Sequence, residues 1–249
     1  MKKKNIVIFK SEGPLKNLNL RNQLKDLNFN ILSYPILKVK KIYFKNLKVK
    51  ENSIIFTTSF HSVFFLSELT LERNFKLYTL GEASSLLAKD LGFKNVIETN
   101  GDSANMLNRF MIDNKYSLNK NKEDIIYVGA KIISYDLPKM LKQFGYKVKR
   151  YKIYETLKTD SFKKKFIELV ENKKVAWIVL LSKKGAKNYI RLSNKVFSKK
   201  NLKEIKFACL SKSISDVLTD KVYNKFYPEY SNIKFIKNII LKSENYYAP

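Results

Sequence analysis

Short apolar runs alternate along this chain with longer segments whose apolar residues recur at helical spacing. Short runs bounded by Gly, Ser or Pro read as buried strands, and the spaced segments read as amphipathic helices. On this basis Asn5–Phe9 (NIVIF) is a buried strand, Asn19–Leu27 a helix, and Asn28–Leu37 a second strand. Pro35 falls inside that second run. Proline cannot donate to a ladder, so the chain is expected to leave the first sheet there, and Lys38–Lys50 follows with alternating character. The next elements are a strand at Ile54–Thr57, a helix at Phe60–Leu69, a strand at Leu77–Leu80 and a helix at Ala83–Leu91. A short strand, a turn at Asn100–Gly101 and a helix from Ser103 come after, with Asp102 or Ser103 as N-cap. The pattern continues with a strand at Ile125–Gly129, a helix at Tyr135–Phe144, a long alternating strand at Tyr146–Lys158 and a helix at Phe162–Asn172. A final amphipathic helix spans Ser231–Leu241, with Ser231 as its cap.

Within this series one unit occurs twice. Ile54–Leu66 with Leu77–Phe93 and Ala176–Ile190 with Lys206–Asp220 share an order: apolar strand, hydroxyls, helix, second strand ending at Gly or Ser, helix. A repeated strand–helix unit predicts two similar α/β lobes with a cleft between them. The opening piece, residues 1–34, is too small to bury a sheet alone, and the second repeat copy lacks such a piece. Joining them gives one discontinuous lobe, 1–36 with 157–249, beside a continuous lobe, 40–153. The chain then crosses at about 34–40 and 153–159, a paired hinge suited to closure over a ligand.

Composition supports folded domains: 45% hydrophobic and 13% aromatic residues suffice for real cores. The apolar run after MKKKN is ended by Lys10, Ser11 and Glu12, so it reads as a first strand and not a secretory signal. Val175–Leu181, the longest apolar stretch, is too short for a bilayer. A cytoplasmic protein is expected, without a membrane partner. The one cysteine, Cys209, lies in an apolar strand and reads as a buried inert thiol. With only His61 beside it, no structural zinc site is expected. The net charge of +27 suggests a polyanionic partner, yet only five of the 49 basic residues are arginines (Arg21, Arg73, Arg109, Arg150, Arg191). Lysine spread over every segment, with abundant Asn and Ile, fits compositional bias on solvated faces better than nucleic-acid readout. Its field still draws in any multiply anionic ligand.

The chain has no Gly-rich dinucleotide fingerprint, P-loop or G-x-S-x-G elbow, and no histidine for a triad beyond His61, which reads as a capping or surface residue. What remains is a set of hydroxyls where strands end and helices begin: Thr57, Thr58 and Ser59; Ser84 and Ser85; Ser182; Ser211 and Ser213. Helix capping alone accounts for any one of them. Four such places in two similar lobes point further, to helix N-termini whose N–H groups and hydroxyls bind carboxylates. Gly129, closing the IIYVG strand, allows close approach of a ligand or chain. Tyr154 lies in KIYET at the second crossing, where its phenol could point into the cleft.

At these residues the sequence resembles the uroporphyrinogen-III synthase family. The matching pieces are IIFTTSFHSV, YTLGEASSLLAKDLGF with NGDSANML, IIYVGAKIISYDLPKMLKQFGYKV, the YET at Tyr154–Thr156, WIVLLSKKGAKNYI and FACLSKSISDVL. They follow the family order over almost the whole chain. The resemblance implies two similar three-layer α/β lobes with parallel sheets, joined by a two-stranded linker, and no cofactor. It implies hydroxymethylbilane, a linear tetrapyrrole with eight carboxylates, as the substrate. The reaction implied loses water, inverts ring D through a spiro intermediate and closes the macrocycle as uroporphyrinogen III. By place in the motifs, Tyr154 matches the family tyrosine that assists water loss. Thr58, Ser59, Ser84, Gly129, Ser182, Ser211 and Ser213 match its substrate-binding turns. The chain departs from the family pattern with Ser211 in place of a frequent Gly, Val128 in place of a basic residue, and Ser84 in place of Thr. A monomer is expected, with transient hand-over of substrate from hydroxymethylbilane synthase.

Two other classes compete. A non-catalytic two-lobed binder of nucleic acid or sugar phosphates would explain the charge, but it calls for clustered arginines and aromatics. A nucleotide-sugar or phosphate-transfer enzyme calls for a Gly-rich phosphate loop.

Overall fold

A computed structural model describes residues 3–12, 18–42, 47–114, 124–218, 224–229 and 233–244. The chain opens with β1 (Asn5–Glu12), α1 (Leu18–Leu24) and β2 (Asn30–Lys41). Next come β3 (Ile54–Thr57), α2 (Phe60–Leu69), β4 (Lys76–Leu80), α3 (Glu82–Asp90), β5 (Asn95–Thr99), α4 (Ser103–Asp113), β6 (Ile125–Ala130) and α5 (Leu137–Gln143). The rest is β7 (Val148–Lys158), α6 (Lys164–Glu171), β8 (Val175–Leu180), α7 (Lys183–Val196), α8 (Lys199–Leu202), β9 (Lys206–Cys209), α9 (Lys212–Ser215), β10 (Asn224–Phe226) and α10 (Phe235–Ser243). These form two compact units, one of Met1–Lys38 with Leu157–Pro249 and one of Val39–Thr156.

In the discontinuous unit all strands are parallel, in the order β10-β9-β8-β1-β2. In the continuous unit they are parallel in the order β5-β4-β3-β6-β7. The two orders correspond strand for strand, so the sequence repeat is a repeat of topology. β3, β4 and β5 take the places of β8, β9 and β10, and β6 and β7 those of β1 and β2.

Side chains alternate across each strand, so a sheet buried on both faces divides its apolar residues between two cores. In the discontinuous unit Val7, Phe9, Ile178, Leu180 and Phe207 pack with Phe166 of α6 and Tyr189 and Leu192 of α7. On the other face Ile6, Ile8, Trp177 and Val179 pack with Leu20 and Leu24 of α1 and Ile236 and Ile240 of α10. The continuous unit repeats this division. Ile55, Leu77, Ile126 and Val128 meet Val63 and Leu66 of α2 and Ala88 of α3. Ile54, Phe56, Tyr78 and Tyr127 meet Met106 and Phe110 of α4 and Leu137 and Leu141 of α5. Each unit is therefore a three-layer α/β sandwich.

The structure differs from the sequence reading in several places. β2 does not stop at Pro35. It runs on to Lys41 by means of a register shift, in which Lys10 pairs with Pro35 and Ser11 with Leu37. Pro35 itself stays in register with Lys10, and the residue passed over is Ile36, an irregularity of the kind found where proline sits in a strand. The helix expected from Tyr135 begins at Leu137, with the Asp136 carboxylate accepting from the Lys139 N–H. Ser231 lies outside the described residues. The helix after β9 is only four residues long.

Candidate active site

The Ile54–Thr57 strand is buried along its whole length and delivers Thr58 and Ser59 to the start of α2. Ser59 is the N-cap in extended conformation, and its hydroxyl accepts the Ser62 backbone N–H at 3.1 Å. The same hydroxyl lies 2.7 Å from Tyr154 Oη and 2.9 Å from Ser62 Oγ. Ser59 thus caps its helix and also holds a phenol 95 residues away in sequence.

Tyr154 reaches this place through a break in alternation. β6 and β7 pair Gly129 with Lys152 and then Ala130 with Tyr154, passing over Ile153. Ile153 and Tyr154, neighbours in sequence, are consequently both buried. Bulges of this kind re-aim a side chain. The Tyr154 carbonyl accepts the Lys131 N–H at 2.7 Å, which fixes the backbone beside the bulge. The ring packs against Phe65 and His61, with centroids 5.8 and 6.0 Å apart. Burial pushes the Tyr154 phenol above the ordinary tyrosine value, partly offset by the Ser59 and Ser62 hydroxyls. The phenol therefore keeps its proton at neutral pH.

A second phenol is held by the residue before Ser59. Tyr127 Oη is 2.8 Å from Thr58 Oγ1, and its ring is almost fully buried. Burial raises the pKa of this phenol too. Gly129 makes room for it: a Cβ on Gly129 would stand 2.7 Å from Tyr127 Cε1. The close approach expected at Gly129 is thus made by Tyr127 of the same strand. At α3 the N-cap is Gly81, with φ of 78°, a conformation that glycine adopts without strain. Ser84 lies within the first turn of α3, buried at 4% exposure, with its N–H donated to the Gly81 carbonyl.

In the discontinuous unit, Ser182 caps α7 and accepts the Gly185 N–H at 3.1 Å. Ser211 precedes α9 in extended conformation, but its hydroxyl makes no capping bond. It lies 3.0 Å from the exposed Ser213 hydroxyl. Capping thus accounts for Ser59 and Ser182 in part and for Ser211 not at all. Cys209 is fully buried, and burial pushes its thiol up to about 12, as expected of an inert cysteine.

A family model described as uroporphyrinogen-III synthase HemD matches residues 19–231. The chain belongs to the uroporphyrinogen-III synthase family. Solved structures agree in fold. The uroporphyrinogen-III synthetase of Helicobacter pylori 26695 is 14% identical, with 98% of this chain and 100% of that chain covered and a TM-score of 0.61. A mutant uroporphyrinogen III synthase of Thermus thermophilus is also 14% identical, with 97% and 99% covered and a TM-score of 0.55. No curated protein sequence matches this chain. Family membership makes uroporphyrinogen-III synthesis the function and does not favour a non-catalytic binder of polyanions. Among the described residues no helix is long and apolar enough to cross a membrane.

Three further side chains that the sequence did not single out as candidates lie beside these residues. His61 does not cap α2; it is half-buried, with its ring against Tyr154 and its Nδ1 buried without a partner. Burial holds it below the usual imidazole range, so it is neutral at pH 7. Ser62 was visible as a hydroxyl three residues after the cap, and Tyr127 as the one polar tip in the strand before Gly129.

Proposed function

We propose that this chain closes hydroxymethylbilane to uroporphyrinogen III with Tyr154 as proton donor to the departing hydroxyl. Family membership carries the reaction. The observation that supports Tyr154 is its buried, protonated phenol held 2.7 Å from Ser59 at a helix N-terminus. Loss of the terminal hydroxyl needs a proton to leave as water, and the azafulvene left behind needs nearby lone pairs, which phenol and serine oxygens supply. A phenol whose pKa is raised further is a weak acid. It assists by donating a hydrogen bond as the C–O bond lengthens, so most of the advantage comes from holding the folded substrate with ring D at the reacting carbon. Thr58, Ser59, Ser84, Gly129, Ser182, Ser211 and Ser213 are assigned to the turns that take up the substrate carboxylates. Ser211 and Ser213 fit best, because their hydroxyls are not spent on capping.

The reading makes the protein a cyclising lyase that works as a cytoplasmic monomer. It receives its substrate from hydroxymethylbilane synthase, since free substrate closes spontaneously to the wrong isomer. The test is isomer analysis: substrate generated by its synthase, this protein added, and the oxidised porphyrins separated. Type III product is expected, and type I alone would reduce the likeness to one of fold. Tyr154→Phe is expected to lower kcat for type III product about tenfold or more with the fold intact. Unchanged kinetics would remove Tyr154 from the mechanism.

A further inference from the structure

The Ser59 hydroxyl has three neighbours and must divide its bonds among them. It accepts the Ser62 backbone N–H at 3.1 Å and lies 2.9 Å from Ser62 Oγ and 2.7 Å from Tyr154 Oη. A serine hydroxyl carries one proton and two lone pairs. With one lone pair taken by the backbone, one hydroxyl neighbour must donate to Ser59 and the other must accept from it. The two arrangements differ in where the Tyr154 proton goes. If Tyr154 donates to Ser59, its proton is spent inside the protein and Ser59 donates onward to Ser62. If Ser62 donates to Ser59, Ser59 donates to Tyr154 Oη, and the phenol proton is free for another acceptor.

We propose that Ser62 is a positioning residue that selects the second arrangement, so that Tyr154 presents its proton to the substrate. The assignment rests on the role given to Tyr154 above. Ser62 lies in the first turn of α2 and is 1% exposed. Its proton is shielded from bulk water, with Ser59 Oγ within hydrogen-bond distance. Ser62 acts through Ser59, to which its hydroxyl is hydrogen-bonded. Deleting its hydroxyl leaves the second lone pair of Ser59 open to the phenol, and the Tyr154 proton turns inward.

The experiment compares initial rates of type III formation for the unaltered protein, Ser62→Ala, Tyr154→Phe and the double variant, each normalised to the folded fraction by circular dichroism. Ser62→Ala is expected to lower kcat about five- to tenfold, the scale of one hydrogen bond, with KM unchanged. No further loss is expected when it is added to Tyr154→Phe, and Ser62→Cys, which keeps a weak S–H donor, should recover part of the rate. An unaltered kcat in Ser62→Ala beside an impaired Tyr154→Phe would overturn the proposal while sparing the Tyr154 reading. The same fold-loss in both backgrounds would also overturn it, since Ser62 would then act independently of the phenol. If Tyr154→Phe itself is unimpaired, the Tyr154 role falls and the proposal falls with it, a result recognisable from that single variant.

Discussion

At the scale of single residues, the candidate site is a cluster of oxygens with little charge of its own. Two protonated phenols, Tyr127 and Tyr154, are each held by a hydroxyl from the turn after β3. Gly129 determines whether this pairing can exist, because any side chain there would meet the Tyr127 ring at sub-contact distance. Gly129→Ala is expected to push the ring away from Thr58 and to destabilise the protein by about 1–3 kcal/mol, the usual range for overpacking a filled site. A thermal melt checks this. An alanine variant as stable as the parent would mean that the ring moves without penalty, and Gly129 would lose its structural explanation.

Among the elements, α7 does more than cover a sheet. Its Asn188 is fully buried and donates to the Ile36 carbonyl at 2.8 Å and to the Thr159 carbonyl at 3.1 Å. Its side-chain oxygen accepts from Arg191 Nε at 2.8 Å, and Arg191 also donates to the Thr159 carbonyl. The Ile36 carbonyl additionally receives the Thr159 N–H and hydroxyl. These bonds tie the bulged part of β2 and the chain just after β7 to one helix, within the discontinuous unit. The Ile36 carbonyl, next to Pro35, is thus shared between Asn188 and Thr159. Asn188→Ala removes one donor from each carbonyl and leaves Arg191 Nε without its acceptor, so a loss of about 1–3 kcal/mol is expected. Chemical denaturation measures it, and a loss below about 1 kcal/mol would show that water replaces the amide.

For the whole molecule, the dominant fact is a net charge of +27. The ion pairs found among the described residues are lysine or arginine to carboxylate at partly exposed positions, such as Lys41–Glu68 and Arg109–Asp113, and such pairs contribute little each. Unpaired lysines therefore repel one another and oppose compaction. Raising salt from about 0.01 to 0.1 M shortens the screening length from about 30 to 10 Å. The melting temperature should rise over that range, and the KM for an octacarboxylate substrate should rise with it as steering is screened. A melting temperature that falls with salt would show that net attraction, not repulsion, governs the surface.

Much of this molecule is determined by sequence alone. Periodicity placed β3, α2, β4, α3 and β6 within a residue or two, because a strand buried on both faces is continuously apolar and an amphipathic helix keeps its spacing whatever its surroundings. The repeat of one strand–helix unit, legible as IIFTTSFHSV and WIVLLSKKGAKNYI, became one strand order present in each unit. Tertiary structure decided what depends on residues far apart in sequence. Pro35 could remain in its strand because the pairing with β1 shifts register beside it, and the neighbouring Ile36 carbonyl found donors in Asn188 and Thr159. Tyr154 became a neighbour of Ser59 because β7 slips by one residue against β6. Hydroxyls that looked alike at four helix starts were sorted by their surroundings: Ser59 towards a phenol, Ser182 to its own helix, Ser84 into the interior, Ser211 towards Ser213. Local patterns record the solvent preference of each side chain, whereas a register shift or a shared hydrogen bond is settled only when two distant segments meet.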